Sequence, residues 1–254
     1  MTISGYVSWL PVHPHVLFET LAYLCGFQLY RFLRRRYGDA VSTSNRWSVI
    51  AAAALGAALG SKLLFLLEDP KLTLAYLRDP VFLMGGKTIL GGLSGGLLAV
   101  EVTKKISGIQ VRTGDLFAVP LCLGIAIGRL GCFFTGLDDN TYGTPTALPW
   151  GLDFGDGILR HPVQLYEVIF VLALGCLLLH RFRRPYVSGD IFKGLMVSYA
   201  AFRLLIDFLK PYPRFAGLCT LQWTCLGLLA YYAPDLWRWL SRAPSAQTPE
   251  AVAC

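Results

Sequence analysis

The stretch Leu116-Phe-Ala-Val-Pro-Leu-Cys-Leu-Gly-Ile-Ala-Ile-Gly-Arg129-Leu-Gly-Cys-Phe-Phe134 is apolar along its whole length except for one arginine. A helix needs about 20 mostly apolar residues to cross the hydrocarbon core of a bilayer, and this stretch has that length. Working outward, comparable runs occupy 16–31, 48–67, 81–102, 163–180, 191–209 and 217–234. The sequence therefore predicts an all-α integral membrane fold with seven transmembrane helices. Composition agrees, because 54% of the 254 residues are hydrophobic and 15% are charged, too apolar for an ordinary soluble domain. A single seven-helix domain over 1–242 is expected, with an external segment at 135–160 rich in Gly, Pro and Asp, the natural cap or gate. The residues at 243–254 are expected to form a disordered cytoplasmic tail.

Charge assigns the sides. Arg31, Arg34, Arg35, Arg36 and Arg46 follow the first apolar run, and Lys104, Lys105 and Arg112 follow the third. Arg181, Arg183, Arg184 and Lys193 lie between the fifth and sixth. The alternate connections carry Glu68, Asp69, Asp79, Asp138, Asp139, Asp153 and Asp156. Basic loops stay in the cytoplasm, so the N-terminus is expected outside and the C-terminus cytoplasmic. The same loops account for the net charge of +7 without a nucleic-acid partner. The seven cysteines are scattered, mostly inside apolar segments, and read as small buried residues rather than disulfides. Neither they nor His13, His15, His161 and His180 show ligand spacing, so no metal and no cofactor are implied. Pro11, His13, Pro14 and His15 precede the first apolar run in place of a basic n-region, so that helix is expected to stay in the protein. Gly56-xxx-Gly60, Gly91-xxx-Gly95, Gly92-xxx-Gly96 and Gly124-xxx-Gly128 set small residues one turn apart, a pattern that lets helix backbones approach closely in lipid.

Ionisable groups inside apolar segments are costly and default to function or to pairing. With the topology above, Glu19, Lys62, Lys87, Arg129, Glu167, Arg203 and Asp207 all fall toward the outer face, with His161 just before the fifth helix. Structural ion pairing accounts for some of them: Arg203 and Asp207 are four apart and share a helix face, Lys62 reaches outward along its stem, and Glu101 belongs with Lys104 and Lys105. Six helices each supplying a charge at one depth point further, to a polar cavity. Two arginine forks there suit a phosphate, and the simplest phosphate at that depth is a phospholipid headgroup.

Longer motifs add a resemblance. The stretch from Gly124 to Gly136, then Tyr142-Gly143-Thr-Pro145 through Pro149-Trp150-Gly151, resembles the signature region of the prolipoprotein diacylglyceryl transferases. So do Arg160-His161-Pro162-Val-Gln164-Leu-Tyr166-Glu167, Gly194 through Asp207, Gln222 after Gly217, Gly60-Ser-Lys62, and Asp115 with Pro120. The resemblance implies a multi-pass enzyme of the bacterial cytoplasmic (inner) membrane, with its site near the outer leaflet. It implies transfer of the diacylglyceryl group of phosphatidylglycerol to the lipobox cysteine of a preprolipoprotein peptide, releasing glycerol phosphate. Arg129 and Arg203 would be the family's essential arginines, holding the phosphate and stabilising the charge on the leaving group. Gly143 would lie beside the headgroup, and His161, Gln164, Tyr166 and Glu167 would shape the cavity mouth. Asp207, Lys87 and Lys62 complete the substrate-binding set.

The departures concern the acceptor. The family histidine that helps activate the thiol falls at Leu90, and a leucine cannot accept a proton. The family asparagine three residues after the first arginine is Cys132, the following Asn and Glu appear as Thr135 and Leu137, and Glu19 stands near the place of a helix-one tyrosine. Thiol activation needs a base or a positive field, for which Glu19, His161 and Lys87 are the candidates. Two other readings fit the loss of the histidine: the same scaffold serving a different lipid-derived donor or acceptor, or a silent lipid-binding paralogue.

Overall fold

In the computed structural model, which describes residues 14–39 and 41–241, the chain is mostly helical. In order, the helices are α1 (Pro14–Tyr37), α2 (Thr43–Glu68), α3 (Pro70–Ala75), α4 (Pro80–Met84), α5 (Ile89–Ile106), α6 (Asp115–Thr135), α7 (Val163–Phe182), α8 (Asp190–Ile206), α9 (Thr220–Tyr231) and α10 (Ala233–Ser241). A 3-10 turn, Gly136–Asp139, follows α6, and a two-stranded hairpin, β1 (Leu152–Asp153) and β2 (Leu159–Arg160), precedes α7. Among the described residues, Asn45–Glu68, Asp115–Asp139 and Val163–Phe182 are long and apolar enough to cross a membrane. Residues 11–13 and the tail at 243–254 lie outside the described residues.

Five of the seven apolar runs correspond to one main helix each; 217–234 divides into the 12-residue α9 and the start of α10, and 81–102 is also interrupted. The run at 81–102 breaks after Met84 because Gly86 takes φ +53°, and Thr88 then starts α5 as its N-cap, its hydroxyl accepting from the Gly91 amide at 3.1 Å. A capping hydroxyl satisfies one of the amides a helix start leaves free. The end of the chain also differs from expectation, because residues 233–241 form a further short helix, α10.

Helix α6 is the centre of the bundle. It buries Leu116, Val119, Cys122 and Ile125, and packs against α1, α7 and α8. Tyr30 of α1 stacks on Phe117 with centroids 4.6 Å apart, and Phe170 of α7 stacks on Phe202 of α8 at 4.1 Å. On the other side α2 and α5 meet along their glycines. A Cβ built on Gly60 would lie 2.7 Å from Gly95 Cα, and one on Gly95 would lie 2.8 Å from Gly60 Cα, so only hydrogen fits. Gly92 and Gly96 make ordinary contacts, and Gly128 has nothing within 4 Å. Close approach thus belongs to the first two glycine pairs and not to Gly124-xxx-Gly128.

The basic connections converge at one end. Arg46 is buried and clamps Asp39, its Nε donating to Asp39 Oδ2 at 2.8 Å while Nη1 donates to the Thr113 carbonyl at 2.8 Å. Asp115 accepts from the amides of Gly189 at 2.6 Å and Phe192 at 2.9 Å, fixing the start of α8. Lys193 pairs with Asp235 of α10 at 2.7 Å. The C-terminal end of α6 lies at the opposite end of the bundle, and the candidate site is built there.

Candidate active site

Three adjacent helices each send charged groups to one buried point. Arg129 stands on the fourth turn of α6, Glu167 on the second turn of α7, and Arg203 on the last turn of α8. Glu167 Oε2 lies 2.9 Å from Arg129 Nε, and Oε1 lies 3.7 Å from Arg203 Nη1. Tyr199, one turn before Arg203, donates its hydroxyl proton to Glu167 Oε1 at 2.6 Å. Arg203 also grips Asp207 with two nitrogens, Nη2 at 2.9 Å and Nε at 3.2 Å from Oδ1. The i,i+4 pairing expected of Arg203 and Asp207 is therefore present, and it is one edge of a larger network. Exposure of Arg203, Asp207 and Glu167 is 2%, 0% and 1%, so each charge depends on its partners rather than on water.

Two members of this network escaped the sequence reading. Lys210 is 2% exposed and lies 3.7 Å from Asp207 Oδ1. Burial and the nearby Arg203 and Arg129 charges push its ammonium down to about 8. Glu68, at the end of α2, feels the charges of Arg203 and Lys210. Both stand at the ends of apolar runs, where a charge is cheap and carries no signal in the sequence.

The remaining candidates form a second tier around this core. Gly143 donates its amide to the His161 carbonyl at 3.1 Å, and a Cβ there would come within 2.6 Å of that oxygen, so glycine is required by close backbone approach. Thr144 donates to the Leu209 carbonyl at 2.7 Å, which ties the 135–160 segment to the end of α8. His161 Nδ1 lies 3.4 Å from the Tyr166 hydroxyl, which also accepts from Trp150 Nε1 at 2.8 Å. Glu167 is enclosed between the arginines. Gln164 is equally buried and donates to Thr141 Oγ1 at 3.4 Å.

From Thr141 a line of polar contacts runs to α1. Thr141 Oγ1 donates to Asp139 Oδ2 at 2.7 Å, and Asp139 Oδ1 lies 3.2 Å from His15 Nδ1. His15 Nε2 is 4.0 Å from Glu19, and Glu19 pairs with Lys87 at 2.7 Å. Lys87 is thus the ion partner of Glu19. Lys62 donates to the carbonyls of Gly85 and Gly86 and so holds the break before α5. Leu90 packs in an apolar cluster with Met196 and Tyr199 at 1% exposure, so hydrophobic packing fills that position. Proximity of His15 to Cys132 and Asp139 has no counterpart in sequence spacing, because the three residues come from separate elements.

Among the described residues, five buried side-chain polar atoms make no hydrogen bond, and four of them, Arg129 Nε, Glu167 Oε2, Gln164 Oε1 and His15 Nδ1, gather in this region. Arg129 Nε and Glu167 Oε2 are close enough to attract as charges but are misaligned for a hydrogen bond. Buried polar atoms without a hydrogen bond are rare and call for a specific cause, and their concentration here singles this region out as the candidate site.

Residues 5–234 match the prolipoprotein diacylglyceryl transferase family. A phosphatidylglycerol–prolipoprotein diacylglyceryl transferase of Bordetella parapertussis is 33% identical over 242 residues, covering 89% of this chain and 91% of the relative. The protein of that name from Geobacter sulfurreducens is 35% identical over 214 residues, 78% of this chain and 79% of its own. One from Wolbachia pipientis is 30% identical over 212 residues, covering 77% and 78%. With the match spanning nearly all of the chain, including α6, α7 and α8 and the charges they bring together, the protein belongs to the prolipoprotein diacylglyceryl transferase family.

Proposed function

We propose that the protein transfers the diacylglyceryl group of phosphatidylglycerol to the lipobox cysteine thiol of a preprolipoprotein peptide, releasing glycerol phosphate. The observation that carries this reading is the buried meeting of Arg129 and Arg203 about Glu167. Two permanently charged forks can exchange a carboxylate for a phosphate diester without leaving the protein, and they become more valuable as charge builds on the departing phosphate. Asp207 holds Arg203 from behind, and Lys210 pairs with Asp207. Gln164, Tyr166, His161 and Gly143 form the wall toward the 135–160 segment, and Glu19, Lys87 and Lys62 the wall toward α1 and α5.

The chain crosses the bacterial cytoplasmic membrane seven times through α1, α2, α5, α6, α7, α8 and α9, with residues 1–242 as one domain and 243–254 as its cytoplasmic tail. The N-terminus is outside, the C-terminus cytoplasmic, and the site lies near the outer leaflet. Convergence of the basic connections around Arg46, Thr113, Asp115 and Lys193 at one end, with the arginine network at the other, supports this orientation. Reporters fused at Ser107 and Asp139 should be cytoplasmic and external respectively; the reverse result sinks the orientation.

Transfer itself is measured with purified protein in detergent, phosphatidylglycerol and a lipobox peptide, followed by peptide mass. A diacylglyceryl mass gain on the cysteine, absent with Arg129→Ala, is expected. No gain, in a mixture where a relative works, would favour another acceptor, a reading that Leu90 in the apolar core supports.

A further inference from the structure

Three residues outside the arginine network meet at the C-terminal end of α6. His15 from the first turn of α1, Cys132 from the last turn of α6 and Asp139 from the 3-10 turn each offer a nitrogen, sulfur or oxygen atom, all within 4.8 Å of one another. One thiol, one imidazole and one carboxylate form a donor set suited to a borderline-soft divalent cation; calcium and magnesium prefer oxygen alone.

Each of the three also has an outer partner. His15 Nε2 faces the Glu19 carboxylate at 4.0 Å, Asp139 Oδ2 accepts from Thr141 Oγ1 at 2.7 Å, and Cys132 Sγ accepts from Arg129 Nη1 at 3.8 Å. A ligating imidazole usually gives its second N–H to a carboxylate or carbonyl, and Glu19 stands where that group is needed. His15 Nδ1, on the other side of the ring, is buried and makes no hydrogen bond. Asp139 Oδ1 is 3.2 Å away, a distance that fits an ion pair, but its direction does not fit an N–H donor. A cation among the three residues would give that nitrogen a partner.

We propose that His15, Cys132 and Asp139 hold a zinc-class divalent cation whose open fourth position takes the acceptor thiol. Three protein ligands with one vacancy is the catalytic form of such a site. Ligand atoms at about 2.0–2.3 Å from the ion require the widest present separation to close by about 1 Å, which side-chain rotation supplies. Thiolate and carboxylate charges neutralise the cation, and Glu167 balances Arg129 beside it.

The thiol half of this inference rests on the transferase reading above. A free thiol is mostly protonated at neutral pH, and Leu90 offers no base to change that. On a divalent cation the sulfur gives up its proton to solvent and remains as thiolate. That sulfur attacks the diacylglycerol carbon that carries the phosphate ester. The S–C bond forms as the C–O bond breaks, and the electron pair leaves on the phosphate oxygen of glycerol phosphate, with no change of oxidation state. Because Arg129 and Cys132 are one turn apart in contact, a thiol on the cation and a phosphate on Arg129 are neighbours.

The test uses full-length, tag-free protein in detergent, with Zn2+ and Co2+ as probes and metal content read by mass spectrometry. About one Zn2+ per chain should survive dialysis. Co2+ should give tetrahedral visible bands with a sulfur charge-transfer absorption that Cys132→Ser removes, and Asp139→Asn, checked for a single size-exclusion peak, should weaken Co2+ binding by 10-fold or more. No tetrahedral spectrum, or one that both variants and His15→Ala leave unchanged, overturns the site as an adventitious ion only. Transfer measured alongside separates the two readings. Full transfer by metal-free protein overturns the thiol role of the cation and leaves the transferase standing. Bound metal with no transfer to a lipobox peptide overturns the transferase reading and with it the thiol half, while the three-ligand site stands.

Discussion

Glu167 stands between Arg129 and Arg203, 2.9 Å from one guanidinium and 3.7 Å from the other, at 1% exposure. This carboxylate from α7 is what allows α6 and α8 to bring two fixed positive charges together in an apolar bundle. Without it the arginines would repel across a medium that screens little. On the proposed function it is also the group that a phosphate would replace, and until then it is the strut between the two arginines.

Glu167→Gln keeps the shape and removes the charge. Taking one partner from a buried ion pair costs about 3–5 kcal/mol, so the variant should unfold at lower temperature in detergent, and saturating anionic phospholipid should recover part of the loss. A melting temperature equal to that of the wild type would mean that Glu167 contributes nothing to holding the arginines.

Arg203→Lys retains a positive charge but loses the fork that meets Asp207 with two nitrogens. Transition-state donors of this kind are worth about 10²–10³ in kcat. The lysine variant should therefore insert normally and lose activity to that extent, with a smaller change in KM for phosphatidylglycerol. If only KM changes, Arg203 binds the lipid uniformly and does not act on the leaving group.

Lys210 should make lipid binding pH-dependent. Burial, with Arg203 and Arg129 nearby, lowers it to about 8, so its positive charge is present below that pH and lost as the pH rises through it. Affinity for anionic phospholipid should then fall by a few-fold between about pH 7 and 9, and Lys210→Arg, always charged, should flatten the profile. Titrating headgroup binding in wild type and variant across that range decides the matter; an identical slope in both would assign the pH effect to another group.

What the sequence revealed follows from where polarity is expensive. Arg129, Glu167, Arg203 and Asp207 stand inside apolar runs, where a charge demands an explanation, and all four fall in one network. His15, Asp139 and Lys210 stand just beyond such runs, where a charge is ordinary, and only the folded chain brings them to the same region. The same contrast holds for the fold. Length and hydropathy located the long helices, while the break between α4 and α5 depends on the backbone of Gly86 and the hydroxyl of Thr88, a local device that an apolar window averages away. Glycine spacing indicated close packing at four places, but a close approach also needs a facing partner, which Gly56 and Gly60 find in Gly95 and Gly91 and which Gly128 lacks.

Leu90→His tests whether the family base can be put back. Leu90 is 1% exposed, and the cluster around it contains Leu64, Ile125, Met196 and Tyr199. An imidazole there would bury two polar nitrogens among apolar neighbours, with Tyr199 already committed to Glu167. An unsatisfied buried polar group costs about 1–3 kcal/mol, and losing leucine packing adds to that. The variant should therefore be less stable and no more active, with transfer to a lipobox peptide at or below the wild-type rate. A rise of 10-fold or more in transfer would instead mean that the pocket opens around position 90 when the acceptor binds and that a base was the missing element.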